Sequence, residues 1–354
     1  MEYRPIVGIT MGDPASIGPE LCIRVLSEKK FYDSCRPIII GDVHIIQKAL
    51  AAIGQEGLKL NSKTDVESKL ILNSVTDVAA AKFEFGTLDI LDMGIARDAT
   101  PGKISANTGE ASFRYVEKVI ALAMAGEIDA TVTNAISKEA INLAGHNFAG
   151  HTEIYAHLTN TQKYSMMLAH DDLRVVHVST HVSLRQACDL VKYDRVLEVI
   201  RLAYNACRTL GIENPKVAVA GLNPHSGEAG MFGTEEIDEI IPAINQACSE
   251  GILAEGPVPP DSVFPKARGG WYDIVVAMYH DQGHIPLKME GFVYDREKQA
   301  WAAVAGVNVT LGLPIIRASV DHGTAMGKAY KGTASAISLI NAIEYAIIMA
   351  KNKN

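Results

Sequence analysis

Short, continuously apolar runs alternate with longer amphipathic runs along most of the chain. Continuous apolar runs are typical of parallel strands that are buried on both faces of a sheet. The amphipathic runs repeat apolar residues at three- and four-residue steps, as a helix packed on a sheet does. Residues 109–125 show this helical pattern with Tyr115, Val119 and Leu122. The alternation predicts an α/β protein with a largely parallel sheet.

The two patterns also assign the main elements. The prolines of 257–260 predict a loop, and the charged stretch 289–299 predicts a surface insertion. No G-x-G-x-x-G sequence follows a predicted strand, so any dinucleotide is expected to bind in a non-Rossmann manner. Strands are predicted at 6–10, 37–41, 69–72, 130–133, 174–179, 216–220, 274–278 and 315–316. Helices are predicted at 18–28, 109–125, 193–209, 235–249 and 333–350.

Length, charge and cysteine usage limit the class of protein. With 354 residues, the chain is longer than one hydrophobic core usually serves, which predicts two α/β lobes. A net charge of -8 argues against nucleic-acid binding, which needs a basic surface. Five cysteines without a CxxC spacing predict reduced thiols. No apolar run approaches the ~20 residues that span a bilayer, and no signal-like segment opens the sequence. We therefore predict a cytoplasmic protein that binds neither membrane nor nucleic acid.

Three histidines occupy the same local position. His181, His225 and His280 each follow an apolar, strand-like run, and His280 is predicted to lie in a loop. The carboxyl ends of parallel strands meet at one edge of a sheet, where ligands bind. Three imidazoles at that edge would hold a divalent metal with open coordination positions. The alternative, that each is a hydrogen-bonded structural histidine, stays open. The structural reading is preferred for His44, His146, His157, His170 and His177, and His284 is expected to point away from His280.

Other segments carry polar groups that suit an anion. Residues 150–153 (GHTE) predict a helix start, whose spare N–H groups bind anions. The alternative is a capping box closed by Thr152. Arg317 presents a planar guanidinium that suits phosphate or carboxylate. The remaining candidates are the cations Lys138 and Lys288, the amide Asn308, and Asp261, a loop carboxylate that would act as a base or orient a metal ligand.

Taken in order, several segments resemble the 4-hydroxythreonine-4-phosphate dehydrogenase (PdxA) family. The matching segments spread from residue 10 to residue 325 and read TMGDPxxIGPE, GHTE, GLNPHxGE, AMYHDQG and GVNxTLGLPxIRxSVDHGTA. The resemblance implies a two-lobed α/β/α fold, similar to isopropylmalate and isocitrate dehydrogenases, with non-Rossmann NAD binding. Residues 1–140 together with 302–354 would form a terminal lobe. Residues 141–301 would form a central lobe that carries most metal ligands and dimer contacts.

The resemblance also implies ligands and the residues that bind them. A homodimer would share its active site, with one divalent metal (Zn, Mg, Mn or Co) held by His181 and His225 of one subunit and His280 of the other. A phosphorylated hydroxy acid would be the substrate and NAD the cofactor. Substrate would contact His151, Thr152, Lys288, Asn308 and Arg317; NAD would contact His322, Gly323 and Thr324; and Asp261 and Lys138 would act in catalysis.

The implied reaction is an oxidation of the 3-hydroxyl of a 4-phosphorylated four-carbon acid, followed by decarboxylation. In the vitamin B6 branch the substrate is 4-hydroxy-L-threonine 4-phosphate. The 289–304 segment is longer than in that branch. That length, with Phe232 and Gly233, is similar to the branch acting on 4-phospho-D-threonate or 4-phospho-D-erythronate, which forms dihydroxyacetone phosphate and CO2. We favour the second branch.

Some positions depart from the family pattern and leave alternatives open. Residues 326–330 differ from the usual sequence, which leaves NAD and NADP both open because Lys328 and Lys331 are nearby. Two functions of other classes remain. A metal-dependent hydrolase would use the three histidines with Asp261, but it has no need of the SVDHGTA segment. A non-catalytic binding protein would keep the fold and lose the cofactor.

Overall fold

Strands and helices alternate along the part of the chain that the structure, a computed structural model, describes, namely residues 3–54, 70–297 and 300–353. The strands are β1 Ile6–Thr10, β2 Arg36–Gly41, β3 Ile71–Val75, β4 Thr87–Asp92, β5 Ala130–Thr133, β6 Ser165–His170, β7 Leu173–His177, β8 Lys216–Ala220, β9 Leu253–Val258, β10 Ile274–Ala277, β11 Phe292–Asp295, β12 Ala300–Val304, β13 Val307–Leu311 and β14 Ile316–Val320. The helices are α1 Gly18–Leu26, α2 Lys29–Ser34, α3 Val43–Ile53, α4 Ala106–Met124, α5 Lys138–Leu143, α6 His151–Leu158, α7 Leu184–Asp189, α8 Tyr193–Thr209, α9 Ile241–Ser249, α10 Pro260–Arg268, α11 His280–Gly291 and α12 Ile337–Asn352.

The chain divides into two compact units. Unit 1 comprises Met1–Thr161 and Leu313–Asn354, and unit 2 comprises Gln162–Gly312. In unit 1 the strand order is β3-β4-β2-β1-β5-β14, and these neighbours pair in parallel. Helix α4 packs against β1, β2 and β5, and α12 packs against β5 and β14. The continuous apolar runs arise because β1 and β5 lie inside the sheet beneath these helices.

In unit 2 the strand order is β13-β6-β7-β10-β8-β9. Strands β7, β10, β8 and β9 are parallel neighbours, whereas β6 runs antiparallel to both β7 and β13. The core beneath α10 and α11 includes Leu168, Val175, Ala218, Val275 and Leu287. Because β7, β10 and β8 are parallel, their carboxyl ends lie at the same edge of this sheet.

The predicted α/β class is confirmed, and most predicted elements are present within a few residues of their expected bounds. Several elements were missed. Strand β9 contains Glu255 and Gly256 and is paired only with β8 among the described strands, so its sequence lacks a continuous apolar run. The predicted loop at 257–260 is wrong because Val258 ends β9 and Pro260 begins α10.

The surface position predicted for 289–299 agrees with the structure where it is described, since Met289, Val293 and Tyr294 are exposed and β11 and β12 form a two-stranded sheet of their own. This stretch completes α11 and forms β11, which pairs with β12. Residues 298–299 lie outside the described residues, as does residue 69 at the start of the predicted strand 69–72. None of the described helices is both long enough and apolar enough to cross a membrane.

Candidate active site

Three segments at one edge of the unit 2 sheet carry the predicted metal ligands. His181 follows β7, His225 follows β8, and His280 follows β10. The predicted loop at His280 is wrong, because this residue begins α11. Tyr279 is the extended residue before the helix, so the chain turns directly from strand to helix. Each histidine thus lies at the predicted edge of the sheet, but the local structure predicted at His280 is wrong.

His181 and His280 come together in this unit. Their ring centroids lie 5.8 Å apart, and both side chains line a cavity of about 490 Å³. The Nδ1–H of His280 donates a hydrogen bond to the carboxylate of Asp281, with Nδ1 and Oδ1 2.6 Å apart. A hydrogen bond of this kind leaves a lone pair on Nε2, the atom that a metal would take.

His225 lies on a loop with unusual backbone geometry. Residues 225–229 all have positive φ, between 43° and 80°, a conformation that non-glycine residues rarely adopt and that clusters at functional sites. The buried carboxylate of Glu236 supports this loop by accepting hydrogen bonds from the backbone N–H groups of Leu222 and Asn223, each 2.8 Å long. The His225 ring is exposed, 6.5 Å from the ring of Phe232.

Within one chain, His181, His225 and His280 do not form a three-ligand group. Across the described residues, no three histidine, cysteine, aspartate or glutamate side chains gather in a way that could hold a metal ion. A common edge of the sheet is therefore not sufficient to bring three histidines together within one chain. The edge is shared, but the structure brings only His181 and His280 into ring contact.

Two histidines that sequence reasoning set aside lie in the same cluster. The His284 ring stacks on the His280 ring with centroids 3.6 Å apart and planes 13° apart, so the expectation that it points away is wrong. His177 is fully buried, and its Nε2 lies 3.1 Å from Nδ1 of His284. Burial lowers the pKa of His177 to about 4 and that of His284 to about 3, with neighbouring imidazoles adding to the effect. The overlooked sequence feature is the four-residue spacing of His280 and His284. Residues with this spacing are neighbours on one face of a helix, whereas no helix was predicted there.

The other unit 2 candidates lie on α10, α11 and β13. Asp261 lies in the first turn of α10 rather than in the predicted loop, and it is exposed at a second cavity of about 420 Å³. Asp281 lines both cavities. Lys288 lies on α11, four residues beyond His284, with its Nζ 5.0 Å from the centre of the Phe292 ring. Asn308, on β13, donates its Nδ2 hydrogen to the Sδ of Met166 at 2.7 Å.

Unit 1 holds a buried arginine. The Arg317 side chain is only 2 % exposed; it donates to Oγ1 of Thr133 at 3.0 Å and lies over the Tyr155 ring at 5.5 Å. Burial lowers its pKa to about 10, while Tyr155 and Glu153 act in the opposite direction. A guanidinium in such a position remains charged at neutral pH, and a buried charge requires compensation from an anion or from polar groups.

His151 begins helix α6 in the same unit. Its Nε2 is buried and has no hydrogen-bond partner among the residues that the structure describes. Burial, followed by the charge of Arg317, holds the pKa of His151 well below its usual value. Lys138 is exposed at the start of α5, and its Cε would lie 3.9 Å from a β-carbon built on Gly150. The helix start at GHTE is confirmed, but the cap residue is Gly150 without a side-chain hydrogen bond, so the capping-box alternative is wrong.

The segment after β14 supplies a third set of polar groups. The Nδ1 atom of His322 lies 2.8 Å from the carbonyl oxygen of Gly323. Because that oxygen can only accept, Nδ1 carries the proton and donates it. Its Nε2 is buried without a hydrogen-bond partner in the described part of the chain. A β-carbon built on Gly323 would meet nothing within 4 Å. The carbonyl of Thr324 accepts from the backbone N–H of Ile17 at 3.3 Å, which ties this segment to the loop after β1.

The comparisons with known proteins agree with these motifs. The profile of the family described as "Pyridoxal phosphate biosynthetic protein PdxA" matches residues 33–346. A D-threonate 4-phosphate dehydrogenase from Cupriavidus necator is 41 % identical over 99 % of both chains. The crystal structure of a 4-hydroxythreonine-4-phosphate dehydrogenase from Klebsiella pneumoniae has a TM-score of 0.83 and 39 % identity over 99 % of both chains.

A more distant structure extends the comparison. A terephthalate 1,2-cis-dihydrodiol dehydrogenase from Burkholderia xenovorans has a TM-score of 0.66 and 27 % identity over 98 % of both chains. The three matched proteins are thus named for different substrates but for the same class of reaction. The resemblance read from the sequence motifs is confirmed: this chain belongs to the PdxA family, and the relatives that it matches are dehydrogenases.

Proposed function

We propose that the protein is an NAD-dependent dehydrogenase that oxidises the 3-hydroxyl of 4-phospho-D-threonate or 4-phospho-D-erythronate. Loss of CO2 from the resulting 3-keto acid would give dihydroxyacetone phosphate. The observation that carries the proposal is the buried pair of Arg317 and His151 in unit 1. A dehydrogenase for an uncharged alcohol has no need of a guanidinium removed from water, whereas a phosphorylated acid supplies the opposite charge.

We assign an anionic group of the substrate to this pair. The planar guanidinium of Arg317 forms paired hydrogen bonds with phosphate or carboxylate oxygens. The buried Nε2 of His151 would contribute a further polar contact, with the start of α6 and Thr152 adding backbone and hydroxyl groups. In unit 2, Lys288 and Asn308 are assigned to the substrate as well. Each of these groups would hold an anionic or polar part of the acid and so restrict its orientation.

The imidazoles of unit 2 fit a divalent metal. The hydrogen bond from Nδ1 of His280 to Asp281 leaves its Nε2 available for a ligand bond, and the His181 and His225 side chains are exposed. Imidazole nitrogens suit zinc, cobalt and other first-row metals. We assign the third position to His225. When bound, such a metal would supply Lewis-acid chemistry at the oxygen of the reacting alcohol.

The segment from His322 to Thr324 fits a nicotinamide cofactor. The Nε2 of His322 is buried and has no partner in the part of the chain that the structure describes, and the space beside Gly323 is open, so this segment would accept a polar, bulky group. The attachment of Thr324 to the loop after β1 would hold this segment in place. NAD would supply the hydride acceptor when bound. We favour NAD over NADP as the cofactor.

Two further side chains are assigned to proton transfer. Asp261 is exposed at its cavity and, as a carboxylate, would accept the proton of the 3-hydroxyl. Lys138 lies beside Gly150, near His151, and its ammonium would hold or return a proton in that region. Arg317 and His151 would keep the acid in one orientation throughout, so that loss of CO2 follows oxidation without release of the keto acid.

We also propose that the active form is a homodimer with a shared site. Large apolar side chains flank the candidate ligands: Met231, near His225, is 74 % exposed, and Leu184, near His181, is 63 % exposed. Exposed apolar groups clustered near polar site residues are typical of protein interfaces. A second copy of the chain would cover them and bring His280 to the His181 and His225 of its partner. The free cysteines of the described chain suit a cytoplasmic location.

The substrate is tested with a panel of acids measured side by side. The panel contains 4-phospho-D-threonate, 4-phospho-D-erythronate, 4-hydroxy-L-threonine 4-phosphate and unphosphorylated D-threonate, with saturating metal and either NAD or NADP. NADH formation and CO2 release are followed together. We expect one of the first two acids to have the highest kcat/KM with NAD, and the unphosphorylated acid to be a poor substrate.

One alternative is favoured by a specific observation. The structure from Klebsiella pneumoniae is named 4-hydroxythreonine-4-phosphate dehydrogenase, and a preference for that substrate in the panel would replace the proposed acid while retaining the reaction class. Equal rates with phosphorylated and unphosphorylated D-threonate would instead contradict the phosphate site. Absence of NADH formation with every acid would favour the hydrolase or binding-protein alternatives.

A further inference from the structure

His284 is a buried side chain in contact with a candidate metal ligand, and the reaction assigned above does not use it. It is 7 % exposed and lies one helical turn after His280 on α11. The two rings are nearly parallel, 13° apart, with centroids separated by 3.6 Å. The two rings are in face-to-face contact, so the His284 ring blocks rotation of the His280 ring towards the C-terminal end of α11.

Hydrogen bonds determine which ring nitrogens carry protons. Nδ1 of His284 lies 2.9 Å from the backbone oxygen of His280, and that oxygen can only accept. Nδ1 of His284 is therefore a donor. Nδ1 of His177 lies 3.3 Å from the backbone oxygen of Met166, so it is a donor as well. In neutral His177 this leaves a lone pair on Nε2.

The lone pair of His177 faces His284. Its Nε2 lies 3.1 Å from Nδ1 of His284, so that N–H is shared between His177 and the backbone oxygen of His280. Donation thus runs from His284 to His177 and from His177 to the backbone oxygen of Met166 in β6, and the same N–H of His284 also reaches the backbone oxygen of His280 in the first turn of α11. Each imidazole is held in one tautomer and one orientation.

The close approach of α11 to β7 depends on a glycine. A β-carbon on Gly283 would lie 2.4 Å from Nε2 of His177 and 2.6 Å from the Cγ1 of Val175. Both contacts are too short for any side chain. Residue 283 must therefore be glycine if His177 and His284 are to meet, and the contact between them is part of how this helix packs on the sheet.

We propose that His284 is a positioning residue that fixes the orientation of the His280 imidazole for metal binding, and that His177 holds His284 in place. The proposal rests on the proposed function, in which His280 is a metal ligand. His284 would not bind the metal itself, since its role is exerted through the stacked ring and the hydrogen bond to the backbone of His280. Groups that orient a metal ligand typically alter metal affinity by ~10–100-fold when they are removed.

The two contacts can be separated by substitution. His284→Phe keeps a stacked ring and removes the N–H, His284→Asn keeps an N–H donor near the Nδ1 position and removes the stack, and His284→Leu removes both. The dissociation constant for Zn²⁺ alone is measured on the full chain by competition with a chromophoric chelator. We expect Phe and Asn to weaken binding by roughly 10-fold each and Leu by roughly 100-fold.

Two further variants serve as references. His170→Asn changes another mostly buried histidine of unit 2 that lies outside this cluster, and Zn²⁺ affinity is expected to stay within about twofold of the parent, since groups away from a metal's ligands contribute little to its binding. His280→Ala removes the ligand itself and tests the metal assignment. Parent-like affinity of His284→Leu, together with lost binding in His280→Ala, would overturn the positioning role and leave the metal site standing.

A measurement without metal distinguishes the remaining outcomes. Long-range ¹H–¹⁵N correlation spectra of the metal-free protein should show the Nδ1–H tautomer for His177 and for His284. The carbon-bound protons of His280 should lie upfield because of the stacked ring, and they should move downfield in His284→Asn and His284→Leu but not in His284→Phe. If His280→Ala leaves Zn²⁺ binding unchanged, the proposed metal site fails. Unmoved His280 signals in His284→Leu would overturn this inference in either case.

Discussion

The two units hold their candidate functional groups in opposite ways. In unit 1, Arg317 is buried within a parallel strand, and His151 has a buried nitrogen without a hydrogen-bond partner among the described residues. In unit 2, His181 and His225 are exposed on segments that follow strands, and His280 is partly exposed at a helix start. The charged group of unit 1 is thus shielded from water, whereas the imidazole nitrogens of unit 2 are accessible to water.

This difference follows from the chemistry that each group is assigned. A guanidinium in a low-dielectric setting binds an anion strongly because water does not compete for it. In unit 1 the buried charge is compensated by Thr133, by the ring of Tyr155 and by the charge of Glu153. Imidazole ligands need no such exclusion of water, because the ligand bond itself is strong and directional. Exposed donors are also accessible to a second copy of the chain.

The largest expected effect concerns the three candidate metal ligands of unit 2. His181→Ala, His225→Ala and His280→Ala should each abolish stoichiometric metal binding and lower kcat by about 1000-fold or more, because a bound metal contributes several kcal/mol to such an oxidation. Metal content is measured by atomic emission after gel filtration, and kcat from NADH formation. Full metal occupancy in all three variants would contradict the ligand assignment.

Mixing two of these variants tests whether unit 2 completes its site with residues of a partner subunit. When His225→Ala and His280→Ala chains exchange subunits, both defects fall into one site of a heterodimer and the other site is intact. Random exchange should restore about one quarter of the parent's specific activity. No recovery, with exchange shown by differently tagged chains, would mean that the three ligands come from one chain.

A smaller effect is expected for Arg317, the buried arginine of unit 1. Arg317→Ala should lower kcat/KM for the phosphorylated acid by roughly 10- to 150-fold, because a charge-assisted hydrogen bond contributes ~1.5–3 kcal/mol. Turnover of the unphosphorylated acid should hardly change. Steady-state kinetics with both acids measure this.

The matched control for Arg317 is Arg201→Ala, which removes an exposed arginine paired with Glu250 in unit 2. It should leave kcat/KM unchanged. Arg317→Lys, which keeps the charge but not the planar guanidinium, should retain part of the activity. An equal loss with both acids in Arg317→Ala would indicate a general defect of unit 1 rather than a lost anion contact.

The smallest effect tests a buried carboxyl in unit 1. Asp13 is fully buried, and burial raises its pKa from 3.8 to about 6. As the pH rises from about 4 to about 6, the unfolded chain releases this proton first, so the contribution of Asp13 to stability falls across that window. Asp13→Asn has no proton to lose and keeps the acceptor for the N–H of Ala15.

We therefore expect Asp13→Asn to gain stability relative to the parent by about 1–3 kcal/mol between pH 4 and pH 7.5. Urea denaturation at both pH values, followed by circular dichroism, measures the free energy of unfolding. Asp33→Asn, at an exposed residue paired with Lys29, is the control and should show no such gain. A pH-independent difference between Asp13→Asn and the parent would contradict the prediction.

Much of the fold could be predicted because its pattern is local. The apolar run of β1 and the amphipathic spacing of α8 each depend on residues that are neighbours in sequence. Elements with mixed composition could not be predicted in the same way. Strand β9 contains Glu255 and Gly256, and its identity depends on pairing with β8, which is distant in sequence.

The candidate site was predicted in part for a similar reason. Strand ends directed attention to His181, His225 and His280, and the motif resemblance singled out Arg317 and His151 as substrate ligands. His177 and His284 were missed. Their contact depends on α11 beginning at His280 and approaching β7 at Gly283, and neither feature can be read from the spacing of histidines in a presumed loop.

The α/β class, the family and the residue types of the candidate site could all be read from the sequence alone. These depend on periodicity and on short motifs, which are properties of adjacent residues. Which of those side chains are buried, and which rings touch, became clear only in the folded chain. Burial and ring contact depend on the packing of helices against sheets, and that packing joins residues as far apart as His177 and His284.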